Sequence, residues 1–462
     1  MPTIPPLTKR VATVTAVLLT IFYIFYFFSN PLSPDTFEDT NNALNSHKQL
    51  SDQPIYTRHE GTCSAILCNP VNKCSTWKPN KTYDWSQLSK AGVFRDLAKI
   101  QLSPGCELKI KVGGAPPPAK MSTIVDKAEA QDWDEQQVNV NKLDVTMISQ
   151  FTVNRLNTFA KAIKNWPGPI SIAIYLADST DIDDLLTYFE NEDNVRAYAG
   201  ATIALVKPNY LNAQHLAYPI NHLRNIAIAE SDTDYIFVVD ADFIPSTSLY
   251  PIVRSRLIPF ILHQGDKMPR TAWVVPCFAI YESYSDLPLP ETMEDLRHLV
   301  RENIAYITDP GAGHGPTLAT EVALVRPLVH GNPLAYEVCY ESQWEPYYIL
   351  HRSAPLYDVR FRNQGGDKQS HALQLNAEKY RFMVLRDTFM IHRDHPTMVW
   401  PGGGFEKSQK EAANKWNYFK EYKEEIETLY GVNARWPRGC SAAAIGWQEQ
   451  RRDLLGIAAG AI

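Results

Sequence analysis

The stretch Tyr235-Ile236-Phe237-Val238-Val239-Asp240-Ala241-Asp242-Phe243-Ile244-Pro245-Ser246 constrains this chain more than any other. Its first five residues are apolar and mostly β-prone, the pattern of a buried strand. Asp240 and Asp242 follow where that strand should end, and a spacing of two puts both carboxylates on one face of an extended backbone. Pro245 cannot donate to a sheet ladder, so pairing is expected to stop there. Paired acids at the carboxyl end of a buried strand offer hard oxygens to a divalent cation, and such a cation can hold a diphosphate. Asp-x-Asp also occurs in solvated turns, so the apolar run ahead of it is what favours a site.

The surrounding pattern alternates. Strands are expected at 145–151, 170–176 and 201–206, and helices at 153–166, 182–190 and 219–230, the last with proline in its first turn. Alternating strands and helices predict an α/β fold with a mostly parallel sheet flanked by helices, a doubly wound arrangement. Ligands in such sheets bind beyond the carboxyl ends of the strands, where Asp240 and Asp242 fall. Further on, a helix is expected from 246 to 263, a strand at 271–281, a helix at 291–303 and a terminal helix at 405–430. Residues 309–315 form a glycine-rich loop.

The chain has 462 residues, enough for one large domain with additions or for two or three domains. With 45 basic and 51 acidic residues its net charge is −6, which argues against nucleic acid as a partner. Residues 11–28 (VATVTAVLLTIFYIFYFF) carry no charge. As a helix they would span roughly 27 Å, close to the hydrocarbon thickness of a bilayer. Lys9 and Arg10 precede this segment, and acids follow it, which predicts a short cytosolic tail (1–10) and a lumenal remainder. Its length and the sequence Phe28-Ser29-Asn30-Pro31 favour an uncleaved signal anchor over a cleaved signal peptide. A polar, flexible stem is expected at 29–60, a cysteine-containing accessory region at 61–140, the main domain at 141–445 and a tail at 446–462. Four of the seven cysteines, Cys63, Cys68, Cys74 and Cys106, crowd into the accessory region and read as one or two disulfides of undetermined pairing. Asn80-Lys81-Thr82 is an N-glycosylation acceptor, in keeping with a lumenal surface.

Transfer of a sugar from a nucleotide needs a metal at the diphosphate, a grip on the nucleotide and a base for the acceptor hydroxyl. Asp240 and Asp242 are candidate metal ligands. His392, at the end of the apolar run Phe389-Met390-Ile391, is the candidate third. Imidazole together with carboxylates suits Mn²⁺. Arg224 and Asn225, which close one turn of the helix ahead of the acid strand, are candidates for gripping the nucleotide, with Asp240 on the diphosphate side. Asp367, after Gly365 and Gly366, is the first candidate base, with Glu345 and then Asp358 as alternatives. Asp367 reads equally well as the N-cap of the helix that follows it. No Gly-x4-Gly-Lys-Ser/Thr and no His-Glu-x-x-His occurs, which leaves a phosphotransferase or metalloprotease reading without support.

Several segments in order resemble the LARGE/β-1,4-glucuronyltransferase family, glycosyltransferase family 49. They are Thr152-Val153-Asn154-Arg155-Leu156, Trp166-Pro167-Gly168-Pro169-Ile170-Ser171, Tyr218-Pro219-Ile220-Asn221-His222-Leu223-Arg224-Asn225, the Asp240-Ala241-Asp242 strand, Trp344-Glu345-Pro346-Tyr347, Asp358-Val359-Arg360-Phe361 and Phe389-Met390-Ile391-His392. The resemblance spans about residues 145–400. It implies a GT-A fold, a single-pass type II Golgi membrane topology, Mn²⁺, and a UDP-sugar donor, usually UDP-glucuronic acid. It also implies transfer with inversion to a glycan or glycoprotein acceptor, with Asp240, Asp242 and His392 as metal ligands. The competing expectation is a non-catalytic carbohydrate-binding or scaffolding protein on the same fold.

Overall fold

The computed structural model describes residues 107–112, 143–211, 213–265, 270–308, 334–342, 344–363, 365–394, 421–441 and 444–446, together with Leu324 and four short strands before residue 103. The expected anchor at 11–28, the stem and the glycine-rich loop at 309–315 lie outside the described residues. Among the described residues no helix is long and apolar enough to cross a membrane.

In the accessory region, strands β1 (Ala65–Cys68), β2 (Cys74–Trp77) and β4 (Ile100–Leu102) form a small antiparallel sheet in the order β2-β1-β4. Its register sets Cys68 opposite Cys74. The other short strand, β3 (Thr82–Tyr83), joins the main sheet beside β5 (Leu108–Val112).

The main sheet is mixed. Its parallel centre is β6 (Val145–Thr152), β7 (Ile170–Tyr175), β8 (Ala201–Lys207) and β9 (Tyr235–Val238), in the order β9-β6-β7-β8. Every residue of β6 and β7 is buried, as expected of strands covered by helices on both faces. Alternate residues feed two cores. Met147, Ile172 and Phe237 pack on one face with Phe159 of helix α1 (Leu156–Lys164). Ile148, Ala173 and Val238 pack on the other, with Leu223 and Ile226 of α4 (Ile220–Ala229). Two helices link β7 to β8: α2 (Asp181–Glu190), as expected, and α3 (Glu192–Tyr198), which was not expected from the sequence.

Beyond β9 the chain departs from a simple doubly wound sheet. It leaves the main sheet after β9 and enters a second, four-stranded sheet as β10 (Phe243–Pro245). It does so again from β11 (Thr271–Val275) to β12 (Cys277–Ile280), where Pro276 interrupts what the sequence presents as one long strand. The small sheet is completed by β13 (Ala305–Ile307), which follows α5 (Met293–Arg301). The main sheet gains β14 (Ala335–Val338), the antiparallel β15 (Tyr347–His351) between β9 and β11, and, after helix α6 (Asp367–Ala377), β16 (Arg381–Leu385). A third crossing runs from β16 to β17 (Met390–Arg393), so the small sheet reads β10-β17-β12-β13. Pro245 therefore does not end pairing: it sits opposite Met390 on an edge strand, the place in a sheet where proline is tolerated. The helical run at 249–264 contains a π turn at Val253–Leu257. Of the expected helix at 405–430, the described part is α7 (Lys423–Tyr430).

The segment after α7 is fastened to edge strand β14. Cys440 is disulfide-bonded to Cys339, Cys339 N–H donates to the Ile445 carbonyl (3.2 Å), and Ile445 N–H donates to the Glu337 carbonyl (3.0 Å). The bond closes a loop of sequence separation 101. Loops that long restrict the unfolded chain strongly, so Cys440→Ser is expected to cost about 2–4 kcal/mol, read as a lower urea midpoint at unchanged slope. An unchanged midpoint would show that the segment adds nothing to the fold.

Candidate active site

The chain's crossings between the two sheets bring chemistry together. β9 ends at Val238, and Asp240 and Asp242 lie in the turn that carries the chain into β10, with Phe243 N–H donating to the Asp240 carbonyl (3.2 Å). They are turn residues rather than the continuation of a strand. The antiparallel register of β10 with β17 sets His392 opposite Phe243, one residue from Asp242. As a result His392 Nε2 stands 3.8 Å from Asp242 Oδ2, close enough for both atoms to reach one ion at bond lengths of about 2.1 Å. On its other side, His392 Nδ1 is 3.3 Å from an Asp394 oxygen, and both Asp394 oxygens accept from Tyr306 Oη (2.9 and 3.1 Å). A carboxylate at Nδ1 favours a proton there and turns the Nε2 lone pair towards Asp242.

Asp240 is the centre of a charge network. Its Oδ1 accepts from Arg224 Nη2 (2.9 Å), and its Oδ2 accepts from Lys368 Nζ (2.6 Å) and Tyr347 Oη (2.8 Å). Arg224 is completely buried on α4, and its Nη1 also donates to Asp367 Oδ2 (2.7 Å) and Asn221 Oδ1 (2.8 Å). Lys368 Nζ lies 3.5 Å from Glu345 Oε2. On the far side, Arg155, in the short 3₁₀ turn after β6, donates to Asp242 Oδ2 (2.6 Å). Burial alone would raise the Asp240 and Asp367 carboxyls. Lys368 and Arg224 outweigh it and hold both below the ordinary carboxylate range. Burial likewise pulls the Lys368 ammonium down, but Asp240, Glu345 and Asp367 push it well above the usual value. Asp240, Asp367 and Lys368 are therefore charged near neutral pH.

The geometry corrects two expectations. Asp367 is not the N-cap of α6. It is the helix's first residue, and Gly366 holds the cap position at φ 82°, a left-handed conformation that suits glycine. Nor is it placed to take a proton. It is buried, committed to Arg224 and held in its charged form at depressed pKa, which makes it a poor base near neutral pH. Asp358 is engaged by Arg360, its Oδ2 accepting from Nη2 at 2.5 Å. Glu345 stands next to the acid pair through Lys368. Asn225 exchanges hydrogen bonds with the Tyr357 backbone, Nδ2 to the carbonyl (2.8 Å) and Oδ1 from the N–H (3.0 Å), so it fixes the 357 loop to α4. Arg224 sits beneath the acids rather than on an open surface. Arg155, Tyr347, Lys368 and Asp394 were not singled out from sequence. The one cue to Lys368 was its place after the Gly-Gly pair. Among the described residues, no three His, Cys, Asp and Glu side chains converge tightly enough to hold a metal on protein donors alone.

Residues 189–431 match the family model described as "Glycosyl-transferase for dystroglycan" (Glyco_transf_49). The chain belongs to glycosyltransferase family 49. The xylosyl- and glucuronyltransferase LARGE2s of Gallus gallus is 32% identical over 260 residues, covering 55% of this chain and 32% of that protein. LARGE1 of Homo sapiens is 30% identical over 266 residues, covering 56% and 32%. The match thus spans about a third of the length of these relatives. A crystal structure of S. aureus TarS 1–349 in complex with UDP-GlcNAc aligns over 68% of this chain and 80% of that one, at 10% identity and a TM-score of 0.30, a likeness too loose to argue from. The acid pair, Tyr347, Glu345, Lys368 and His392 all fall inside the matched segment, and Arg155 falls outside it, ahead of its start at residue 189.

The Arg224 network has a thermodynamic signature. Asp367 has a folded pKa below its ordinary 3.8, so its stabilisation is full above that value and is lost as pH falls towards the folded one. Asp367→Asn removes one partner of a buried pair and should cost about 3 kcal/mol at pH 7. The gap from the unmodified chain should narrow below pH 4, as measured by urea unfolding across pH. A gap independent of pH would show that Asp367 is not held ionised by Arg224.

Proposed function

We propose that this chain is a metal-dependent glycosyltransferase of GT-A fold that moves a sugar, glucuronic acid as the first choice, from a UDP-sugar to a glycan acceptor with inversion. The observation that carries the reading is the 3.8 Å approach of His392 to Asp242 where the two sheets join, with Asp240 in the same turn, within the segment matched by the family. The names of the relatives, xylosyl- and glucuronyltransferases, support the choice of sugar. The segment at 11–28 would anchor the chain in the Golgi membrane with this domain in the lumen.

Asp242 and His392 would hold Mn²⁺, with Asp240 beside them in the same turn and the donor diphosphate supplying further oxygens. The donor set of carboxylate oxygens and an imidazole nitrogen fits that ion, and the 3.8 Å separation of Asp242 and His392 lets both reach it. When bound, the ion offsets the charge that develops on the departing nucleotide diphosphate. The remaining work falls to side chains already in place. Arg155 and Lys368 hold the acid pair in place in the unliganded site, and their charges would meet an arriving diphosphate. Arg224 holds Asp240 from beneath, so the acid need not reorganise when the donor binds. Glu345 takes the proton of the acceptor hydroxyl as the acceptor oxygen bonds to the anomeric carbon and the carbon–oxygen bond to the diphosphate breaks. Lys368, 3.5 Å from Glu345, links the base to the acid pair.

A screen of UDP-sugars by UDP release tests this reading. One donor should turn over, chelator should abolish the turnover, and Asp242→Ala should lower it at least 100-fold, about 2.7 kcal/mol of barrier. Glu345→Gln should lower kcat by about 10²–10⁴ while leaving UDP affinity within a few-fold. Turnover indifferent to chelator would remove the metal, and near-normal kcat in Glu345→Gln would remove the base. A chain that binds sugars yet releases no UDP from any donor would favour the carbohydrate-binding alternative.

A further inference from the structure

The segment after β12 places an aromatic surface beside the candidate active site. Tyr281, the residue following β12, stacks on Tyr306 of β13 with ring centroids 4.4 Å apart and planes 24° from parallel. Only one face of Tyr281 can be used in that stack, and the residue is 42% exposed. Tyr284 (39% exposed) and Leu287 (36%) follow it on the same loop. This loop is tied down: Tyr284 N–H donates to the Tyr281 carbonyl (2.8 Å), and Arg393 Nη2 donates to the Leu287 carbonyl (2.7 Å). Tyr281 N–H donates to the Ile304 carbonyl (3.2 Å), which anchors its backbone to the start of β13.

The surface is joined to the acid pair by short contacts. Tyr306 donates to Asp394, Asp394 lies 3.3 Å from His392, and His392 lies 3.8 Å from Asp242. Strand pairing reinforces the link, because β17 lies next to β12 with Ala279 opposite His392 and Ile280 opposite Arg393.

We propose that Tyr281, backed by Tyr306, is the stacking platform for a pyranose ring of the acceptor glycan. This rests on the glycosyltransferase reading for its role, though not for its existence as a sugar site. An exposed aromatic face carries partial negative charge and matches the C–H face of a pyranose, whose slightly positive hydrogens point towards it. The ring's hydroxyls, at its rim, require polar partners, and the Asp394 carboxylate stands at the Tyr306 edge of the stack. The Tyr281–Tyr306 stack fixes the platform before the sugar arrives, which lowers the cost of ordering it on binding.

The test uses the full chain with a set of methyl glycosides (xyloside, glucoside, galactoside and N-acetylglucosaminide) in saturation-transfer NMR, and UDP with Mn²⁺ in calorimetry. At least one glycoside should receive saturation on the ring protons of one face. Tyr281→Ala should reduce that transfer at least five-fold. Tyr281→Phe should keep it, because the ring and not the hydroxyl does the stacking, and Leu211→Ala, at a remote exposed position, should also keep it. UDP affinity should be unchanged in all three. Undiminished transfer in Tyr281→Ala, or no transfer from any glycoside to a chain that binds UDP, overturns the platform. Glycoside binding that depends on Tyr281 in a chain that binds no UDP upholds the platform and overturns the proposed reaction instead.

Discussion

Arg224 is the residue on which the site's arrangement depends. It is fully buried, and a lone guanidinium in that position would be far too costly to keep. It is kept because two carboxylates meet it, Asp240 from the turn after β9 and Asp367 from the first residue of α6. The same arginine therefore ties together a helix on the face of the sheet, the turn where the chain leaves the sheet, and a helix that follows more than a hundred residues later. Ion pairs of this kind seldom add net stability over an apolar core, but breaking one is severe. Such a pair specifies geometry: Asp240 can occupy one position only, and everything that touches Asp240 inherits it.

That position lies at a junction. Three times the chain leaves the main sheet and enters the small one, after β9, after β11 and after β16, and the three arriving strands β10, β12 and β17 pair side by side. Pro276 marks one crossing: it has no N–H to donate, while its carbonyl accepts from Met390 at the start of β17. A turn between two sheets leaves side chains without ladder neighbours on one side. There the acids can be reached by Arg155 from one direction, Tyr347 and Lys368 from another, and His392 across the small sheet. An active site built on strand ends is held by the hydrogen bonds of two sheets at once, a rigid support for groups that must be positioned to fractions of an ångström.

The part of this that local pattern governs was legible in the sequence. The strands β6, β7, β8 and β9 and the helices α1, α2 and α4 are continuous apolar runs and helical periods, and each lies within a few residues of its expected bounds. His392 was legible as an imidazole ending an apolar strand, and its 3.8 Å approach to Asp242 follows from the register of β10 with β17. The long-range partners were not legible. Nothing local distinguishes Arg155 from any arginine on a helical turn, nor Lys368 from a solvated lysine, because what decides their roles is a carboxylate 87 or 128 positions away. The same holds for Cys339 and Cys440, whose partnership depends on a sheet edge that neither segment announces. Asp367 misled for a physical reason as well. An acid after two glycines at the start of a helix looks like a cap or an exposed base, and only the buried arginine beneath it shows that it is a fixed counter-ion.

The balance of charge in this cluster bears on what the site can accept. Asp240, Asp242, Asp367 and Glu345 face Arg155, Arg224 and Lys368, so the unliganded cluster is nearly neutral although most of its members are poorly solvated. Inserting a dication without an anion would place it beside two cations already paired to the acids it needs, Arg155 on Asp242 and Lys368 on Asp240. On the proposed reading, a nucleotide diphosphate would supply negative charge and offer both cations a new partner. On that balance, ion and nucleotide would stabilise one another in the site, and neither alone would have the full set of partners. Arg224 stands outside this exchange because it is beneath the acids and shared with Asp367. On the proposed reading, Arg155 and Lys368 would change partner while Arg224, shared with Asp367, keeps the frame still.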